Sequence, residues 1–247
     1  MNILKNIKKA IPYLFKSKNI KIKSPEAAYN LWAVKYDEEK NNLALFYDYI
    51  ILKELISKLE LKNKTVLDYG CGTGRNWPLI LDQNPARLSG CDISQNMLNE
   101  LKKKFPAAEV YKINDSELSF LPDSSCDLII STFVIAHIPD VNKMFCEWER
   151  VLKKKAGIII TDFHPELLRK GGKRTFNTGG ELIAVKNYYH SVNTIIEILS
   201  RFGFKALNRI EKNIDENVKH FYEKQNGLHV YKKFYNSPFI YGIHLSR

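Results

Sequence analysis

The sequence holds no uninterrupted apolar run approaching the roughly 18 residues that a membrane helix needs. Its first 23 residues mix Lys with Ile, Leu, Tyr and Phe, without the long apolar segment and small-residue cleavage site of a secretory signal. Cysteine is scarce: Cys71, Cys91, Cys126 and Cys146 form no C-x-x-C pair and no metal-ligand spacing. That excludes a disulfide scaffold or a zinc module and points to reduced thiols in a cytoplasmic protein. There is no internal repeat and no low-complexity linker, so a solenoid or a string of small domains is not expected. Acids are in deficit, 27 against 38 bases, for a net charge of +11. A basic balance suits nucleic acid, anionic lipid or acidic substrates. Here much of the excess sits in residues 1–23, which carry no acid, and the chain is generally rich in Lys, Asn and Ile. Nucleic acid is therefore not an expected partner. The basic arm 1–23 reads either as an amphipathic segment touching an anionic membrane surface or as an extra helix or tail, its period interrupted by Pro12.

What remains is an ordinary globular profile, 247 residues with 45% hydrophobic and 26% charged side chains, enough for one α/β domain spanning 24–247. Its centre is Thr65-Val66-Leu67-Asp68-Tyr69-Gly70-Cys71-Gly72-Thr73-Gly74, a short apolar strand that ends in an acid and then three alternate glycines. Such a loop turns through positive φ, lets a ligand approach the backbone and offers free N–H groups. The spacing G-x-G-x-G differs from the dinucleotide fingerprint G-x-G-x-x-G. Two further acids, Asp92 and Asp115, also close strand-like runs, so all three fall on one edge of a parallel sheet, where open α/β sheets bind ligands.

The rest of the chain alternates. Strands are expected at 65–68, 87–92, 109–113, 126–132 and 157–162, with helices between them, which implies parallel pairing with right-handed crossovers. Ser24-Pro25 starts a helix through Asp37, and apolar spacing from Asn42 to Leu61 predicts another. After 162 the pattern breaks: 165–190, with its two Gly-Gly pairs, reads as an insertion forming a hairpin over the pocket. A helix from Ser191, a strand at 204–210, a helical stretch within 214–225 and a strand at 238–245 complete the chain.

The loop VLDYGCGTG, the turn GCDIS, Asn114-Asp115 and the later STFVIAHIPD together resemble the class I S-adenosylmethionine-dependent methyltransferases, small-molecule branch, over residues 29–164. The resemblance implies a Rossmann-like, doubly wound, seven-stranded sheet, mostly parallel with an antiparallel last strand, plus an N-terminal helical lid (24–61) and an inserted cap (165–190). It implies S-adenosylmethionine as cofactor, held by the glycine loop (Gly70, Cys71, Gly72, Gly74). Asp68 would lie beneath that loop, Asp92 would take the ribose hydroxyls and Asp115, with Ser116 beside it, the adenine amine. Ile93 and Met97 would flank the adenine, Ser131 and Phe133 would lie beside the methionine portion, and Tyr36 would touch the cofactor from the lid. The segment Trp32-Ala33…Tyr36-Asp37 is similar to the family's lid, so Tyr29, Trp32 and Tyr36 are candidate substrate contacts, together with Tyr188. Each of these rings could equally be core. His137, His164 and His190 lie near the same sheet edge and are candidates for substrate contact and for a general base, which an acceptor hydroxyl would need. The three could ligate a metal, but the spacing does not demand it and none is expected. The Asn/Asp-Pro-Pro-Tyr turn of family members acting on base or amide nitrogens is absent after residue 130. The expected function is methyl transfer to O, N or C of a small molecule. RNA or protein methylation through the basic surface, and a non-catalytic cofactor-binding scaffold, are the alternatives. Oligomeric state is not legible.

Overall fold

A computed structural model describes residues 20–39 and 41–247, so most of the basic arm expected at 1–23 lies outside the described residues. The main body is a seven-stranded sheet built from β2 (Thr65–Tyr69), β3 (Arg87–Asp92), β4 (Glu109–Lys112), β5 (Cys126–Thr132), β6 (Leu152–Phe163), β9 (Lys205–Asn213) and β10 (Pro238–Ser246). Its order is β4-β3-β2-β5-β6-β10-β9. The first five strands in that order pair in parallel, and β10 runs antiparallel between β6 and β9. The chain order reverses beside β2, the switch point at which such sheets open a crevice beyond the strand ends.

The strands are apolar on both faces because both are covered. Val66, Leu128, Ile130 and Ile159 pack under α2 (Leu43–Ile56), α3 (Trp77–Leu81) and α4 (Gln95–Lys104). Their neighbours Leu67, Ile129, Ile158 and Ile160 face α5 (Val141–Val151) and α7 (Val192–Ser200), around Phe145, Trp148 and Ile195. Alternate residues thus serve alternate layers. Helix α2 rests on β10 at Gly242, where an added Cβ would strike Ile51, so only glycine admits the helix that closely.

A buried polar knot fixes α2 to the sheet edge. Asp48, fully buried, accepts from Arg75 Nη2 (2.5 Å), from Asn76 Nδ2 (3.2 Å) and from the Thr161 hydroxyl. Arg75 and Asn76 directly follow the glycine loop, so this knot sets the loop's height over the sheet.

A second layer caps the C-terminal strand ends. Ser24 caps α1 (Pro25–Trp32), which continues as a 3₁₀ turn (Ala33–Glu38). Past β6 come α6 (Pro165–Arg169) and the hairpin β7 (Thr175–Thr178) and β8 (Glu181–Val185). β1 (Lys21–Lys23) pairs in parallel with β8, joining the N-terminal segment and the inserted segment in one three-stranded sheet. Trp32 of α1 stacks on Phe176 of the hairpin, with ring centroids 4.4 Å apart. Between β9 and β10, the helical stretch is a 3₁₀ turn (Glu216–Val218) with α8 (Lys219–Lys224), and α9 (Leu228–Phe234) is a further helix that the sequence reading did not anticipate. No helix among the described residues is long and apolar enough to cross a membrane.

Candidate active site

The glycine loop leaves β2 at Tyr69 and turns back on itself. Gly70, Gly72 and Gly74 all have positive φ (78°, 52° and 70°). Gly70 N and Cys71 N both donate to Cys91 O, at 2.8 and 3.0 Å, which folds the loop over the end of β3. At Gly72 nothing lies within 4 Å of where a Cβ would stand, so that face of the loop is open, although the N–H groups of Gly70, Cys71, Gly72 and Gly74, expected to be free, are all paired within the protein. Asp92, at the tip of β3, holds the loop from the other side. Its Oδ2 accepts from Gly72 N (2.8 Å) and its Oδ1 from Ser94 N (2.7 Å). Ser94 in turn caps α4 by accepting from Met97 N. Burial pushes the Asp92 carboxyl up to about 6, against the opposing pull of those backbone donors.

The N-terminal segment at α1 is stapled to this loop. Asn30 Oδ1 accepts from the Ser94 hydroxyl (2.7 Å) and from Asn96 N (3.1 Å), and Asp37 accepts from the Thr73 hydroxyl (2.7 Å). Between α1, the glycine loop and the end of the inserted segment lies a cavity of about 420 Å³. Gly70, Gly72, Asp92, Ile93, Met97, Asp115, Ser116, Phe133 and Tyr36, expected on the cofactor side, all line it, as do Tyr29, His137 and Tyr188 from the substrate side. Asp115 is exposed at the rim, 3.7 Å from Lys143 Nζ.

Other expected residues stand outside the cavity wall, each for a visible reason. Asp68 is buried under the loop, accepts from Trp77 Nε1 at 2.9 Å and is pushed up to about 7 by burial. Cys71 turns inward against Gly90, and Gly74 faces Leu101. Ser131 is fully buried in the sheet, whereas Thr132, the next residue, reaches the cavity. Trp32 is consumed by its stack on Phe176. His164 caps α6 by accepting from Glu166 N and turns its Nε2 toward Glu211, 3.6 Å away on β9. His190 donates from Nε2 to Ile138 O (2.7 Å), tying the end of the inserted segment to the loop after β5. Both histidines begin at the right sheet edge, but their rings are directed elsewhere.

His137 is the exception. It is buried, with Nδ1 3.0 Å from Lys186 O and Nε2 3.0 Å from the Tyr29 hydroxyl. A carbonyl only accepts, so Nδ1 carries the proton and Nε2 presents its lone pair to Tyr29. Burial pushes this imidazole down to about 4, with the charge of Arg174 adding to the effect, so it is neutral near pH 7. Burial likewise pushes the Tyr29 phenol up, which favours the hydroxyl over the phenolate.

The sequence reading missed Arg174, which sits in a Lys- and Gly-rich stretch that resembles a solvated loop. It also missed Asp162, buried at the end of β6 and accepting from Ala136 N (2.8 Å) and Phe163 N (2.7 Å). An acid closing a strand was the signal available for Asp162.

The site fits an adenosyl group with an amino-acid tail: the open face of the loop at Gly72 and a carboxylate at a strand tip meet on one cavity. Residues 67–160 match the family model described as a methyltransferase domain. An uncharacterized protein of Haemophilus influenzae is 29% identical over 47% of the chain, and the match spans 51% of that protein's length. The ubiquinone/menaquinone biosynthesis C-methyltransferase UbiE of Campylobacter jejuni is 28% identical over 68% of the chain and 73% of its own length. An S-adenosylmethionine-dependent methyltransferase of Mesorhizobium loti superposes with a TM-score of 0.60 at 17% identity, over 78% of this chain and 96% of that one. With this fold, this loop and this domain match, residues 67–160 form a methyltransferase domain of the S-adenosylmethionine-dependent kind, with S-adenosylmethionine as its cofactor.

Proposed function

We propose that the protein transfers a methyl group to O, N or C of a small molecule that enters the cavity beside Tyr29 and His137. The observation that carries this reading is the hydroxyl–imidazole pair on the same cavity wall as Gly70, Gly72 and Asp92. The cavity, about 420 Å³, is in the range of small-molecule and cofactor sites. When bound, S-adenosylmethionine supplies an electrophilic methyl carbon on a sulfonium.

The chain's own residues would do the rest. The glycine loop at Gly70 and Gly72 and the Asp92 carboxylate would hold the cofactor, with Ile93 and Met97 as apolar walls and Asp115 at the rim. Holding nucleophile and electrophile in line contributes roughly 7–11 kcal/mol in such reactions. The Tyr29 hydroxyl would accept the proton released by an O–H or N–H acceptor while its own proton passes to His137 Nε2. Lys186 O, by holding the proton on Nδ1, keeps Nε2 ready for it. In this reading 24–61 and 165–190 are the cap of one catalytic domain spanning 24–247. All four cysteines are free, which favours the reducing cytoplasm.

The test is isotopic. Purified protein is incubated with methyl-labelled S-adenosylmethionine and a fractionated small-molecule extract. Label should enter a small-molecule fraction and should fall sharply with Tyr29→Phe and His137→Asn. Label that enters only protein or RNA, or that is indifferent to both substitutions, would overturn the proposal.

A further inference from the structure

The inserted segment buries a cation whose donors are only partly used. Arg174, just before β7, is 2% exposed. Its guanidinium carbon lies 4.5 Å from the Phe133 ring centroid, 4.9 Å from Trp32, 5.6 Å from Phe163 and 5.7 Å from Tyr36. Nη2 donates to the Tyr36 hydroxyl at 2.9 Å. Nε and Nη1 have no hydrogen-bond partner, and among the described residues no carboxylate pairs with Arg174. The nearby acids are committed: both Asp162 oxygens accept from backbone N–H groups, and Glu39 accepts from Trp32 Nε1 and Asn42 Nδ2. Aromatic faces satisfy a cation's charge from above and below, but not the in-plane donors of a guanidinium. A buried charge with idle donors is destabilising unless something completes it.

Two residues that touch Arg174, Tyr36 and Phe133, also line the cavity. Phe133 does so from a left-handed backbone conformation, φ 58°, unusual for a bulky residue and concentrated at functional sites. We propose that Arg174 receives a carboxylate or phosphate carried by the methyl acceptor, so that the substrates of this enzyme are anionic small molecules. The planar fork of a guanidinium matches either anion through paired N–H donors. The aromatic cage holds the fork in place and makes the subsite selective for a group that can replace lost hydration. This inference rests on the methyl-transfer reading above.

The test uses inorganic phosphate and, separately, acetate as probes, titrated into the full-length protein saturated with S-adenosylhomocysteine. Fluorescence of Trp32, beneath the guanidinium, provides the signal. Wild type should show a saturable response, Arg174→Gln should weaken it by at least about tenfold, and S-adenosylhomocysteine affinity should be unchanged. If Arg174→Gln does not fold, Arg174→Lys serves: charge without the planar fork should still bind the probes about tenfold more weakly. No saturable response in wild type, or equal binding by the variants, overturns the proposal. So does a loss of S-adenosylhomocysteine affinity in the variant that spares methylthioadenosine, which lacks the carboxylate. That pattern assigns Arg174 to the cofactor's own carboxylate. Failure of wild type to bind S-adenosylhomocysteine at all would instead sink the methyl-transfer reading, and this inference with it.

Discussion

Cofactor affinity should depend on pH through Asp92. The carboxylate is held above the ordinary range, near 6, by burial, although Gly72 N and Ser94 N donate to its two oxygens. Ribose hydroxyls would donate to the ionised form. Protonation takes away an acceptor and puts a donor in its place, so the sign is fixed: affinity falls as pH falls through the carboxyl's own pKa. For a single group titrating near 6, the apparent dissociation constant is multiplied by one plus the ratio of protonated to ionised acid. At about pH 5 this gives roughly an elevenfold weakening relative to about pH 7.5, or about 1.4 kcal/mol. Calorimetry with S-adenosylhomocysteine measures it directly and needs no acceptor substrate. Asp92→Asn is the control. At about pH 7.5 it should bind more weakly than wild type by about 1.5–3 kcal/mol for lost charge-assisted hydrogen bonds, its affinity should be flat across the range, and the gap should therefore narrow toward about pH 5. Wild-type affinity that is equal at the two pH values, or a slope that survives in Asp92→Asn, would refute the reasoning. Asp68, titrating near 7 under the loop, would put the break a unit higher, and the variant separates the two.

Four substitutions test other parts of the account. Gly90→Ala would set a Cβ 2.7 Å from Cys71 Sγ and 3.1 Å from Trp77 Cζ2, an overpacking that should lower unfolding free energy by about 1–3 kcal/mol in a urea titration. Arg75→Met leaves the Asp48 carboxylate buried without its cation and should cost about 3–5 kcal/mol by the same measurement. Tyr29→Phe should slow label transfer by about 10²–10⁴-fold while S-adenosylhomocysteine binds as before; unimpaired transfer would reduce the Tyr29–His137 pair to packing. His164→Gln should lower thermal stability by removing the cap of α6, yet leave transfer within about twofold of wild type, and a large loss of transfer would return His164 to the chemistry.

The sequence made the sheet legible because the strand-ending acids, the alternate glycines and the two-sided apolar strands all depend on local spacing. Side-chain direction at the strand ends did not follow from the same signals. His164 and His190 leave the chain at the sheet edge, as expected, but one ring turns to β9 and the other to the Ile138 carbonyl. Ser131 and Thr132 differ by one residue, and the pleat sends only the second to the cavity. Arg174 was hidden for a different reason. Its cage comes from α1 and the 3₁₀ turn after it, the turn after β5 and the end of β6, segments brought together only by tertiary packing, while its neighbours Lys170, Lys173 and the paired glycines read as a solvated loop. The strand at Lys21–Lys23 was likewise obscured within the basic arm, since its partner Ile183–Val185 is far along the chain.

The place where an adenosyl group binds decides the identity of the site. A crystal structure of the protein with S-adenosylhomocysteine should show the nucleoside in the cavity between α1 and the glycine loop, with its ribose hydroxyls donating to Asp92 and its base between Ile93 and Met97. A nucleoside bound elsewhere on the chain, or a ribose turned away from Asp92, would contradict it.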